Sequence, residues 1–88
     1  MKHAGPVALD CLESLLAELR KRPALKEKSR GAFYVNGRAF LHFHEDGNQL
    51  YADARLGESF ERFPAKTETQ RKALLNLIDA RLRGGDRA

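Results

Sequence analysis

The apolar residues of this chain change their spacing twice, and that change constrains the fold more than any other feature of the sequence. Leu9, Leu12, Leu15, Leu16 and Leu19 recur at three- and four-residue steps, which describes one apolar stripe on a helix from Val7 to about Arg22. Pro23 stops it. Asp10 and Glu13 near its start and Arg20, Lys21 and Arg22 at its end complement the helix dipole. Beyond it, Phe33-Tyr34-Val35 and Arg38 to His44 are rich in β-favouring residues and flank Asn36-Gly37, a pair suited to the positive φ angles of a type I′ hairpin turn. A second turn signal, Asp46-Gly47, leads into a third strand, Gln49 to Arg55, and Ser59 to Phe63 is a weaker run that could add a fourth before Pro64. Helical spacing then returns at Ala73, Leu74, Leu77, Ile78 and Leu82. Thr67 and Gln70 ahead of them have the form of a capping box, and Gly84-Gly85 ends the helix.

The order helix, antiparallel three- or four-stranded meander, helix predicts an α+β fold, a two-layer sandwich with both helices on one sheet face. At 88 residues there is room for one core, so residues 1–84 read as a single domain and 85–88 as a flexible tail. No apolar run approaches the roughly 20 residues of a membrane span, and the first residues meet Asp10 and Glu13 before any signal-like stretch develops. A cytoplasmic location without membrane contact is the expectation. Cys11, the one cysteine, falls on the leucine-rich helix and reads as a small buried thiol.

Two-residue turns at 36–37 and 46–47 set a register, and residues opposite one another in an antiparallel ladder share a face. One face then carries Ala32, Tyr34, Ala39, Leu41, Phe43, Leu50, Ala52 and Ala54 and takes the helices. The other carries Phe33, Val35, Arg38, Phe40, His42, His44, Gln49, Tyr51, Asp53 and Arg55, with His42 opposite Tyr51 and Phe40 opposite Asp53.

This helix-free face is the candidate site. His42, His44, Tyr51, Asp53 and Arg38 are its ligand-binding candidates. His42 and His44, at i and i+2 on one strand face, could share a zinc ion with Asp53 or Glu45 as third ligand. The bland reading is two half-exposed strand histidines. The same groups could exchange protons near neutral pH, but no nucleophile motif, P-loop or dinucleotide fingerprint accompanies them, which favours a binding domain over an enzyme.

The net charge of +4 is concentrated after the first helix, where Arg20, Lys21, Arg22 and Lys26 could contact nucleic-acid phosphates; the bland reading is a solvated helix end. Phe33, Val35, Phe40 and Tyr51 would form an apolar patch, implying a protein partner, self-association as a homodimer, or a covering loop from Leu56 to Phe63.

The run Ala32-Phe33-Tyr34-Val35-Asn36-Gly37-Arg38-Ala39-Phe40-Leu41-His42-Phe43-His44, with Ala52-Asp53 after it, resembles the small bacterial family labelled "luciferase domain". In that family a Gly-Arg turn leads into a His-x-His strand and an Ala-Asp strand, and Gly37-Arg38, His42-x-His44 and Ala52-Asp53 fit that pattern. The chain lacks the longer histidine-containing insert those proteins carry before their last strand. The order of elements and the turn are also similar, more distantly, to MmcQ/YjbR-like proteins, which implies a related α+β fold. Neither resemblance implies an established reaction.

Overall fold

A computed structural model describes residues 1–84, and the tail reading for 85–88 falls outside them. The elements are β1 (Lys2–His3), α1 (Pro6–Cys11), α2 (Glu13–Arg20), β2 (Lys26–Ser29), β3 (Ala32–Val35), β4 (Arg38–Asp46), β5 (Gln49–Ala54), β6 (Glu61–Pro64) and α3 (Glu68–Gly84). The fold is α+β, built on one antiparallel sheet in the order β2-β3-β4-β5-β6, with β1 paired to β4. No helix among the described residues is long and apolar enough to cross a membrane.

The expected first helix forms as two pieces separated by Leu12, whose backbone leaves helical geometry at φ −93° and ψ 2°. Hydrogen bonds from Leu12 N–H to Ala8 O and from Leu16 N–H to Leu12 O carry the chain across the break. Helix α3 starts as expected: Gln70 N–H donates to Thr67 Oγ1 at 3.1 Å, and Thr67 N–H donates to Gln70 Oε1 at 3.0 Å. The leucine stripe (Leu12, Leu15, Leu16, Leu19) meets Leu74 and Ile78 of α3 over Phe33, Leu41, Phe43, Ala52 and Ala54 of the sheet, and this is the core. Cys11 is exposed, because the buried stripe runs through Leu12, Leu15 and Leu16 and leaves position 11 on the outer side.

The meander has more strands than the expected three or four. Of the Ser59 to Phe63 run, Glu61 to Phe63 pair, together with Pro64, as β6, and Ser59 and Phe60 lie outside the strand. Lys26–Ser29, read beforehand only as a charged segment, forms edge strand β2, and its exposed lysines discourage pairing with another sheet. Strand β1 fits beside the far half of β4 because β3 reaches only as far as Leu41; His3 stands opposite His44, and Ala4 N–H donates to Phe43 O at 3.0 Å.

Two register details differ from expectation. The β4–β5 turn is at Gly47-Asn48, so His42 stands opposite Asp53 and His44 opposite Tyr51. The expected pairing is displaced by two residues, and since side chains alternate with period two, every residue keeps its face. In the β3–β4 hairpin Tyr34 pairs with Ala39 but Phe33 pairs with Leu41, leaving Phe40 as an extra bulge residue. The bulge changes the faces. Phe33 and Phe40 enter the core at 1% and 4% exposure, so the expected apolar patch on the helix-free side does not form.

Candidate functional site

Strand β4 presents Leu41 and Phe43 to the helices, and alternation therefore turns His42 and His44 to the opposite side. On β5 the buried pair Ala52 and Ala54 likewise turns Tyr51 and Asp53 to that side. Cross-strand pairing adds His3, opposite His44, and Arg62, opposite Asp53. The helix-free face thus gathers all three histidines of the chain around one carboxylate.

The imidazoles pack closely. Ring centres lie 4.5 Å apart for His3 and His44, 5.0 Å for His42 and His44, and 5.8 Å for His3 and His42. Asp53 Oδ2 lies 3.1 Å from His44 Nδ1 and 3.5 Å from His42 Nε2. The ligand atoms of His42, His44 and Asp53 all fall within 4.8 Å of one another. Arg62 closes the carboxylate from the far side with a fork, Nε to Oδ1 and Nη2 to Oδ2, both at 2.8 Å. Phe60 sits edge-on to His42 at 5.0 Å, and the Arg55 guanidinium lies 4.6 Å from the centre of the Phe60 ring.

Asp53 is 7% exposed and is the one buried charged residue among those described. The Arg62 fork holds its carboxyl below the ordinary carboxylate range, against the opposing effect of burial. Burial lowers the pKa of both His42 and His44, and the nearby Asp53 charge offsets this only in part. At neutral pH the imidazoles of His42 and His44 are therefore neutral beside an ionised Asp53. His44 Nδ1 is buried, yet despite its 3.1 Å approach to Asp53 Oδ2 it makes no hydrogen bond. It is the one buried side-chain nitrogen or oxygen among the described residues in that state.

Four of the expected ligand-binding residues come together: His42, His44 and Asp53 in contact, and Tyr51 beside them, paired to His44. Arg38 does not join them. It pairs with Val35 at the hairpin turn and lines a groove with Arg81 and Leu82 of α3, because the bulge at Phe40 reverses the alternation between position 38 and position 42. Glu45, the alternative third metal ligand, turns to the other side, where its Oε2 accepts from Gly5 N–H at 2.7 Å.

Of the nucleic-acid candidates, Arg20 bonds Glu13 and Glu27, Lys21 bonds Glu18, and Arg22 forks onto Asp79 at 2.8 and 2.9 Å. Lys26 alone of the four carries no such partner among the described residues. Sequence reasoning missed His3, Phe60 and Arg62. A strand pairing for residues 61–64 with Arg62 opposite Asp53 was the signal for the last; nothing local to residues 1–5 points to a strand. No protein-family model matches this chain, and no curated protein or solved structure does.

Proposed function

We propose that this protein is a small binding domain whose helix-free sheet face holds a divalent transition-metal ion of the zinc type, with His42, His44 and Asp53 as ligands. The observation that carries this reading is the buried His44 Nδ1, close to Asp53 Oδ2 but without a hydrogen bond. Two atoms each 2.0–2.1 Å from a tetrahedral zinc stand about 3.3 Å apart. The separations of Asp53 Oδ2 from the two imidazole nitrogens, 3.1 and 3.5 Å, bracket that value. An imidazole–carboxylate hydrogen bond would explain the same distances, but for His44 it is not made. The donor set suits the ion as well: neutral imidazoles offer lone pairs without first losing a proton, and the carboxylate is ionised. Two histidines and one carboxylate leave a coordination position open for a further ligand.

Calorimetric titration of the metal-free protein with zinc chloride tests this. Saturable binding near one ion per chain is expected, weakened at least about tenfold in His42→Ala and in His44→Ala, with circular dichroism verifying that both variants fold. Absence of saturable binding in the folded wild type defeats the proposal. The runner-up, a nucleic-acid module acting through Arg20, Lys21, Arg22 and Lys26, requires steeply salt-dependent binding. The ion pairs that engage the first three disfavour it.

A further inference from the structure

The basic character of the chain reappears elsewhere, in a groove whose lining, among the described residues, includes no carboxylate. Where the Asn36-Gly37 turn, the bulge at Phe40 and the last turns of α3 meet, Lys26, Arg38, Arg55 and Arg81 line a groove of about 580 Å³. The volume falls within the range of small-ligand sites, roughly 300–1,000 Å³. The floor is apolar: Phe40 and Leu82 belong to or pack against the core, as does Val35 beside them.

The four cations come from strands β2 and β4, the residue just after β5, and helix α3, so tertiary structure and not a local charge run assembles them. Like charges brought together repel, and elsewhere on this protein the cost is met by acids. Arg20, Lys21, Arg22, Arg30 and Arg62 each bond a carboxylate. A second groove, between α2 and α3, sets Glu18 and Glu68 against Arg71 and Lys72. In the basic groove the exposed Lys26 and Arg38 side chains make neither an ion pair nor a hydrogen bond among the described residues. Arg55, which also lines the groove, is steadied by its Nε donating to Ala39 O at 3.0 Å and by its guanidinium packing over the Phe60 ring.

We infer that this groove binds a small phosphorylated ligand, an organic phosphate or diphosphate whose anion meets Lys26, Arg38 and Arg55 and whose organic part rests on Phe40, Val35 and Leu82. A single carboxylate is satisfied by one arginine fork. Several converging cations suit a group carrying two or more negative charges, and phosphate oxygens take arginine in bidentate fashion. The apolar floor gives no benefit to a bare anion, so the ligand must also have an organic body. This inference does not depend on the metal centre.

The test is an NMR titration of the labelled, metal-free full chain at fixed ionic strength, following the amides of Asn36, Gly37 and Arg38. Inorganic pyrophosphate and adenosine diphosphate are the two probes. Saturable shifts with both are expected, with the nucleotide several-fold tighter, and Arg38→Glu weakening both by roughly tenfold or more, the loss of one charge-assisted contact. Arg38 is exposed at a turn, so the variant keeps the fold, and an unchanged amide spectrum elsewhere verifies it. Shifts that never saturate, an Arg38→Glu variant that binds as well as the wild type, or saturation by a short oligonucleotide but by neither diphosphate would each overturn the inference. Equal affinity for pyrophosphate and nucleotide would overturn the role of the apolar floor.

Discussion

At the scale of single residues, Asp53 organises the helix-free face, and the groups around it make folding stability depend on pH in a definite direction. His42 and His44 have folded pKa values below the ordinary histidine value. The unfolded chain therefore binds protons more readily at these two positions as the pH drops below about 6.5, and stability is lost on acidification from that point. Asp53, with its pKa also lowered in the fold, contributes stability that is present above the ordinary carboxylate range and is lost as pH falls through its folded value. Urea denaturation of the metal-free protein is thus expected to show a falling midpoint in two stages, the first starting near pH 6.5 and the second in the carboxylate range. In a His42→Gln/His44→Gln double variant the first stage should flatten. A wild-type midpoint constant between pH 7 and pH 5 would contradict the burial of these imidazoles.

At the scale of elements, the join between α2 and the sheet rests on the turn from β2 to β3. Gly31 sits there with φ +83°, and a Cβ added to it would lie 2.8 Å from Leu9 Cδ2. Its N–H donates to Glu27 Oε2, and Glu27 in turn is forked by Arg20. The apparently free basic segment after the first helix is in this way an ion-pair network that ties α2 to β2. Gly31→Ala meets both the left-handed backbone penalty, about 1–2 kcal/mol, and the contact with Leu9. Its chemical denaturation curve should show a loss of at least about 1 kcal/mol, whereas Gly37→Ala, where an added Cβ meets nothing within 4 Å, should lose only the backbone penalty. Equal losses would show that Leu9 yields without cost.

At the scale of the whole molecule, one core and a few long-range polar ties hold the two layers together. Ile78 is fully buried between α3 and the sheet, and Leu16 is equally buried on α2. Ile78→Ala is expected to cost about 2–5 kcal/mol by lost burial and a residual cavity, a large part of the stability of so small a domain. Thermal or urea unfolding measures this directly; a loss under about 1 kcal/mol would mean that the helix layer closes over the gap. Arg71 adds polar cohesion, donating to Ala65 O and to Cys11 O, so α3 is tied both to the segment following β6 and to the end of α1. The α-layer is held on one side only. The opposite face is left to His3, His42, His44, Tyr51 and Asp53.

The helices, the Thr67 capping box, the strands from Ala32 to Ala54 and the facing of His42, His44, Tyr51 and Asp53 were legible in the amino-acid sequence. Each follows from short-range physics: apolar period, turn chemistry and the alternation of a strand, which survives a two-residue displacement at Gly47-Asn48. Tertiary structure alone decided the rest. The bulge at Phe40 buries Phe33 and Phe40 and moves Arg38 away from the histidines, because filling the core outweighs strict two-residue alternation. Strand β1 brings His3 to His44 from forty-one positions away because β3 ends before the β4 edge does, and no local pattern in residues 1–5 encodes that vacancy. Arg62 reaches Asp53, and Lys26, Arg38, Arg55 and Arg81 share one groove, only once strands distant in sequence pair and α3 packs across them. Contacts of this kind depend on the closed chain as a whole, which is why both candidate sites were completed by residues whose importance the linear pattern did not reveal.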